Sequence, residues 1–208
     1  MDILSALGPG CGEAVLRAAS LIGAGGIVAF PTETFYGLGV RYNHTDGIRR
    51  LCDIKRRPPE KAIPLIIGDM AMLQMVAAKV DPLARSIAES FWPGPLTILF
   101  EARDELPSLL TAGTGKVAVR IPGPSIALSL ARALPFPITA TSANISGTPP
   151  AGRPEEVISC FGDSIDMLLD GGPTPGGRPS TIIDVSGGRL QLLREGIIPF
   201  GQITKKAP

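Results

Sequence analysis

Glycine and proline set the limits of this fold: 25 glycines and 21 prolines fall among 208 residues. They lie between short apolar runs and form no low-complexity tract. No element between such breaks runs long, so the fold must be assembled from many short strands and helices. The runs 26–30, 64–67, 96–100, 117–121, 138–141, 167–169, 181–185 and 190–193 are strand-sized and rich in Val, Ile and Leu. Helical patterns occupy 12–22, 46–55, 71–78, 82–90, 125–133 and 154–161, two of them with proline near the first turn. Strands and helices interleave without strict alternation. That predicts an α/β fold, a single domain around one mixed twisted β-sheet with flanking helices.

Charge narrows the function classes. Lys and Arg number 20 against 19 Asp and Glu, a net charge of +1, with 44% hydrophobic residues. This is a globular composition, and it lacks the electrostatic footprint of a protein that lives on nucleic acid or on an anionic membrane. The charge-free stretch from Ala133 to Gly152 contains Pro135, Pro137, Pro149, Pro150 and Asn144, so it does not make a membrane helix. Asp2 and Glu13 near the start, with no basic region followed by an apolar run, argue against a secretory leader, and a cytoplasmic protein is expected. Cys11, Cys52 and Cys160 form no CxxC pair, and His44 is the only histidine. Neither a disulfide framework, a zinc site nor a histidine cluster is supported, and a Ser-His-Asp triad would depend on one poorly placed candidate. Any catalysis here must rely on other groups, and no metal site built from protein ligands is expected.

Several stretches carry chemistry. Gly26–Gly39 is an apolar strand running into a Pro-Thr turn and a Gly-x-Gly; alone it reads equally as a hydroxyl-rich turn, and the dinucleotide fingerprint fails because no glycine follows three residues after Gly39. Thr111–Lys116 imitates a phosphate loop but has Leu110 and Val117 where glycine and a hydroxyl are required. If 116–121 is a strand, Lys116, Ala118 and Arg120 share one face and Val117, Val119 and Ile121 the other. Lys55-Arg-Arg57 sits where a helix dipole favours cations, and Pro58-Pro59 forces the chain out of the helix near Arg57, so that Lys55 and Arg57 can converge on one ligand, with Lys61 just beyond. Ser142 and Asn144, two apart at the polar tip of a strand, share a face if the chain stays extended; a plain Ser/Asn turn is the alternative. A Gly/Pro-rich loop over 171–181 feeds a further strand, and Arg194 ends another.

Pro31-Thr-Glu-Thr-Phe-Tyr-Gly-Leu-Gly39, Lys55-x-Arg57, Val119-Arg-Ile-Pro122, Thr141-Ser-Ala-Asn-Ile-Ser-Gly147, Ser180-Thr-Ile-Ile-Asp184 and Leu193-Arg-Glu-Gly196 follow one another in order. In that order the chain closely resembles the YrdC-type L-threonylcarbamoyl-AMP synthase family, in its short, single-domain branch, over about residues 10–200, with 1–9 and 201–208 as terminal extensions. The resemblance implies a large concave basic cavity and an ATP-dependent nucleotidyltransferase. L-threonine, bicarbonate or CO2, and ATP would give threonylcarbamoyl-AMP and pyrophosphate, the first step toward threonylcarbamoyladenosine in tRNA. It further implies that the product passes to a tRNA threonylcarbamoyl transferase complex. Carried over, Lys55 and Arg57 would be catalytic; Arg57, Lys61, Lys116, Ala140, Ser142, Asn144, Pro150 and Arg194 would face ATP; Thr34, Arg120 and Ser180 would face threonine. Two departures from the family pattern are Lys61-Ala-Ile-Pro-Leu65, where many members are shorter, and Phe35, where Val is common.

The implied reaction brings two anions together, which suits cationic side chains and needs no histidine base. Mg2+ would travel with ATP, held chiefly by phosphate oxygens, because no carboxylate pair is evident. Two rivals remain: a non-catalytic nucleotide-binding paralogue, and a double-stranded-RNA-binding module of the same fold. The charge balance and the scarcity of aromatics disfavour the RNA-binding module, leaving at most weak RNA binding.

Overall fold

The computed structural model describes residues 1–206. In chain order the elements are β1 (Asp2–Ser5), α1 (Cys11–Gly23), β2 (Val28–Pro31), β3 (Tyr36–Gly39), α2 (Thr45–Lys55), β4 (Leu65–Ile66), α3 (Pro82–Phe91), β5 (Leu96–Glu101), α4 (Ser108–Thr111), β6 (Lys116–Arg120), α5 (Ile126–Arg132), β7 (Ile138–Thr139), β8 (Thr141–Ser142), α6 (Pro154–Phe161), β9 (Met167–Asp170), β10 (Thr181–Asp184), β11 (Gln191–Arg194) and α7 (Phe200–Thr204). Helix starts follow their caps. Asp81 accepts from Leu83 N before Pro82 opens α3, and Ser125 accepts from Leu128 N at the head of α5. The lone histidine has the same duty: His44 Nδ1 accepts from Gly47 N at the start of α2. Gly25 lies beneath it at φ +90°, where a Cβ would come within 2.4 Å of the imidazole, so both backbone and space demand glycine there.

The single sheet expected from the sequence is two. One has the order β1-β9-β2-β3-β8, the other β11-β10-β5-β6-β4-β7. They meet in one extended segment, because β7 pairs with β4 while β8 pairs with β3. Between them Ala140 N donates to the Pro64 carbonyl, and Thr139 N donates to that of Val40. A chain that changes sheets within five residues must splay the two apart beyond it, and the space between them is the cavity described below.

Burial on both faces explains why the inner strands read as continuous apolar runs. In β2, Val28 and Phe30 pack beneath α1 and α5 together with Met167 and Leu169 of β9. Ile27, Ala29 and Leu168 turn the other way, into the larger core with Leu51 of α2 and Val157 and Phe161 of α6. β6 keeps the alternation expected of it: Val117 and Val119 lie in that larger core, and Ala118 and Arg120 face away.

Other expectations are revised. β3 was hidden by Gly37 and Gly39, residues that disfavour strands. They are needed because a Cβ on Gly39 would stand 2.6 Å from the Phe30 ring. β1, a mostly exposed edge strand, pairs in parallel with β9, and Ile203 of α7 is fully buried, so the segments 1–9 and 201–206 pack as parts of the fold and not as extensions. Residues 207–208 lie outside the described residues. The helix expected over 71–78 is a 3-10 helix at Met70–Met75. α2 ends one residue earlier than Pro58-Pro59 alone would require, with Arg56 left-handed at φ 47°. No helix among the described residues is long and apolar enough to cross a membrane.

Val119 is fully buried at the centre of its sheet, paired with Leu65 and Ile98. Val119→Asp should therefore destabilise the protein by about 3 kcal/mol or more, lowering Tm by roughly 6 °C or more in a thermal melt. An unchanged Tm would mean that the strand's faces are reversed.

Candidate active site

The divergence of the two sheets opens a cavity of about 520 Å³, within the size range of small-molecule sites. Most of the wall comes from strand ends and the loops beside them, and one part from the segment after a helix. The turn joining β2 to β3 supplies Thr32, Thr34 and Phe35; the segment after α2 supplies Arg57 and Lys61; β6 ends in Arg120; β7, β8 and the loop beyond supply Ala140, Ser142, Asn144 and Pro150; Ser180 and Arg194 flank β10 and β11. Of the residues expected to face a ligand, these ten reach the wall: Thr34, Arg57, Lys61, Arg120, Ala140, Ser142, Asn144, Pro150, Ser180 and Arg194.

Arg57 is fixed by backbone. Its Nε donates to the Lys61 carbonyl at 3.0 Å, Nη2 to that of Ala62, and Nη1 to Thr141 Oγ1 at 3.3 Å. The Lys61–Leu65 departure thus builds the turn that wraps this guanidinium. Three of its five N–H donors are used, and two remain. Burial pulls its pKa below the ordinary arginine value. Arg194 is held in the same manner, with Nε and Nη2 on the Ser180 carbonyl and Nη2 also 3.1 Å from Ser180 Oγ. Burial lowers its pKa, and the nearby charge of Arg120 lowers it further. Ser180 Oγ lies 3.1 Å from Thr97 Oγ1. Ser142 and Asn144 both line the cavity, but the strand ends at Ser142 and Asn144 N donates to the Ser142 carbonyl, so the Ser/Asn turn and not an extended face brings them together. Ser142 Oγ donates to Asn144 Oδ1 at 2.6 Å, while Asn144 Nδ2 donates to the carbonyls of Ile145 and Thr148.

Two expected residues do not reach the wall. Lys55 does not converge with Arg57 on a ligand: it is 1% exposed and its ammonium lies beneath the loop, donating to the carbonyls of Ser142 and, at 2.7 Å, Asn144. The chain turns left-handed at Arg56, and the two side chains find different partners: Arg57 the Lys61–Ala62 turn and Thr141, Lys55 the loop carbonyls. Desolvation, with the charge of Arg57 second, brings the Lys55 pKa down to about 7. Lys116 shares its strand face with Arg120 but stands four residues away, about 13 Å along the strand. There it pairs with Asp184 Oδ2 at 2.6 Å. Burial raises the Asp184 pKa, and hydrogen bonds from Lys116 and Ser186 more than offset it, leaving the carboxyl below its usual range.

Sequence reasoning missed Thr32, Tyr36, Pro64, Thr97, Thr141, Thr148 and Ile182 in the wall. Thr32 and Thr34 had a local signal, the Pro-Thr turn: Thr32 Oγ1 accepts from the amides of Thr34 and Phe35 and donates to the Phe35 carbonyl, a self-contained hydroxyl turn. Tyr36 donates to the Gly172 carbonyl at 2.7 Å, and burial raises its pKa to about 12, so it anchors the glycine-rich loop as a neutral phenol. Thr97 is buried in β5 and had no signal at all. The wall carries no Asp or Glu, and no group of three His, Cys, Asp or Glu that could hold a metal occurs among the described residues.

Comparison with known proteins follows the same outline. The Sua5_yciO_yrdC family model, described as "Telomere recombination", matches residues 20–196. The threonylcarbamoyl-AMP synthase of Pyrococcus abyssi is 38% identical over 188 residues, 90% of this chain and 55% of that protein. That of Nitrosococcus oceani is 37% identical over 157 residues, 76% of this chain and 85% of that protein. Among solved structures, P. abyssi Sua5 complexed with L-threonine aligns at a TM-score of 0.91 and 35% identity, covering 99% of this chain and 60% of that one. E. coli YciO, at 24% identity, shares the fold with a TM-score of 0.85, covering 100% of this chain and 98% of that one. The chain thus spans little more than half of its P. abyssi relative and most of the shorter ones. With the matched model covering residues 20–196 and relatives above 30% identity over most of its length, the chain belongs to the Sua5/YciO/YrdC family.

Proposed function

We propose that the protein is an L-threonylcarbamoyl-AMP synthase, joining L-threonine, bicarbonate or CO2, and ATP with release of pyrophosphate, as a step toward threonylcarbamoyladenosine in tRNA. The carrying observation is one cavity lined by two groups of cations and no carboxylate: Arg57 beside Lys61, and Arg120 beside Arg194. Such a wall accepts two anionic reactants at once. The relatives' common name supports the reaction, and the L-threonine held by P. abyssi Sua5 supports the amino acid.

In this reading a carbamate oxygen of N-carboxy-threonine attacks the α-phosphorus, the bond from that phosphorus to the bridging oxygen breaks, and pyrophosphate leaves. The chain's work is to align the two anions and absorb charge as it moves onto the leaving group. Arg57, with two free donors, and Lys61 at the mouth take the triphosphate; Ser142, Asn144, Ala140 and Pro150 bound the nucleotide; Arg194, Arg120, Ser180 and Thr34 take the amino-acid end. Lys55 acts through the loop, holding the two carbonyls that set the place of Ser142 and Asn144. Lys116 keeps to its pair with Asp184. Mg2+ enters on the phosphates of ATP, as part of the substrate, since the wall offers it no carboxylate. The product is handed to a tRNA threonylcarbamoyl transferase, and the protein works in the cytoplasm.

Pyrophosphate release should require ATP, L-threonine and bicarbonate together, measured by a coupled phosphate assay. Equal release with threonine omitted would refute the reaction, and nucleotide binding without any release would identify a non-catalytic paralogue. The Lys55 pKa, lowered to about 7 from 10.5, makes a separate prediction. Because the unfolded chain holds that proton more tightly, folding stability rises with pH above about 7 and is flat with respect to this group below it. Relative to Lys55→Met, the wild-type protein should gain at most about 1.4 kcal/mol per pH unit between pH 7 and 9 in parallel denaturant titrations. A wild-type stability that falls relative to Lys55→Met over that range would contradict the lowered pKa of Lys55.

A further inference from the structure

Behind the wall of the cavity lies one carboxylate that the proposed reaction does not use. Glu33 sits in the Thr32–Phe35 turn of one sheet, and its Oε1 accepts from Arg120 Nη1 of the other sheet at 2.7 Å. It is absent from the cavity lining, and its Oε2 is buried with no hydrogen-bond partner. A buried carboxylate oxygen without a donor costs stability, so a side chain chosen only to join the sheets would not carry one. Gly123 shows how closely the group is fitted: a Cβ there would stand 3.3 Å from Glu33 Cγ.

The charges on either side are lopsided. The charge of Arg120 reaches the Arg194 guanidinium, and Arg194 is tied to Ser180, which carries no charge. Among the hydrogen-bonded partners of these two cations, Glu33 alone is anionic. With it, this end of the cavity carries about one surplus positive charge; without it, two. A single surplus charge suits a ligand that presents one carboxylate. A doubled one favours pyrophosphate, the anion that the proposed reaction releases in the same cavity.

We propose that Glu33 is a specificity-determining residue: its charge behind Arg120 keeps the amino-acid end of the cavity selective for a monocarboxylate and closed to pyrophosphate. This rests on Arg120 facing the amino acid, as argued above. Selectivity is a difference between two affinities, and a fixed negative charge penalises a multiply charged anion more than a zwitterion.

The test is competition. L-threonine is titrated calorimetrically into wild-type protein, Glu33→Gln, Glu33→Asp and Gly123→Ala, alone and with inorganic pyrophosphate. Glu33→Gln keeps an acceptor for Arg120 and loses only the charge, so the ratio of threonine Kd to pyrophosphate Ki should rise at least about tenfold, while Glu33→Asp keeps the wild-type ratio. Gly123→Ala, which crowds the carboxylate without removing it, should shift the ratio the same way by less, and it carries the test if Glu33→Gln does not fold. A role in joining the sheets alone would weaken both ligands together and leave the ratio unmoved; a ratio within twofold of wild type in both variants overturns the proposal. Failure of the wild-type protein to bind threonine at all would instead overturn the assignment of the amino-acid end, and this inference with it.

Discussion

Five residues, Ile138–Ser142, belong to two sheets, and the rest of the site follows from that. β7 is committed to β4 and β8 to β3, so the sheets are joined along one line and diverge from it. The cavity fills the divergence. What keeps the line from fraying at its open end is Lys55, whose buried ammonium gathers the carbonyls of Ser142 and Asn144 while its own carbonyl accepts from Ser146 N. A charged hydrogen bond to backbone is stronger than a neutral one, and in a water-poor place it is expensive to break. The cost of burying that cation appears in its lowered pKa.

The same device recurs around the cavity. Arg57 rests on the carbonyls of Lys61 and Ala62, and Arg194 on that of Ser180. Carbonyls orient a guanidinium without neutralising it, so the positive charge remains available to an anionic ligand. Carboxylates pair the cations elsewhere: Asp184 with Lys116, away from the wall, and Glu33 with Arg120, behind it. Arg57 and Arg194 thus face the cavity with their charge unpaired, Lys55 is spent on loop carbonyls and Lys116 on Asp184, and Arg120 does both, paired with Glu33 while still lining the cavity.

Much of this was legible in the sequence. Apolar runs of Val, Ile and Leu gave eight strand positions, because strands buried on both faces need no polar alternation, and the 116–121 register followed from period two alone. Glycine hid β3, where Phe30 occupies the space of two missing side chains. The division into two sheets was not legible, since it depends on which partners Thr139 and Thr141 find more than 70 residues away. For the site, the ordered motifs brought ten of the expected residues to the wall. Lys55 and Lys116 stayed off it because of partners outside their own segments: the carbonyls of Ser142 and Asn144 that hold Lys55, and an Asp184 in β10 that only the pairing of β5 with both β6 and β10 brings near Lys116. Charge type could be read locally; the partner of each charge could not.

The central claim is that one cavity seats two anions on two groups of cations. A crystal structure with L-threonine and a non-hydrolysable ATP analogue tests it most directly. The account predicts the threonine carboxylate on Arg120 near Ser180 and the phosphates on Arg57 and Lys61, with Lys55 still beneath the loop on the carbonyls of Ser142 and Asn144. Phosphates on Arg120, or Lys55 drawn out of the loop onto a ligand, would contradict it.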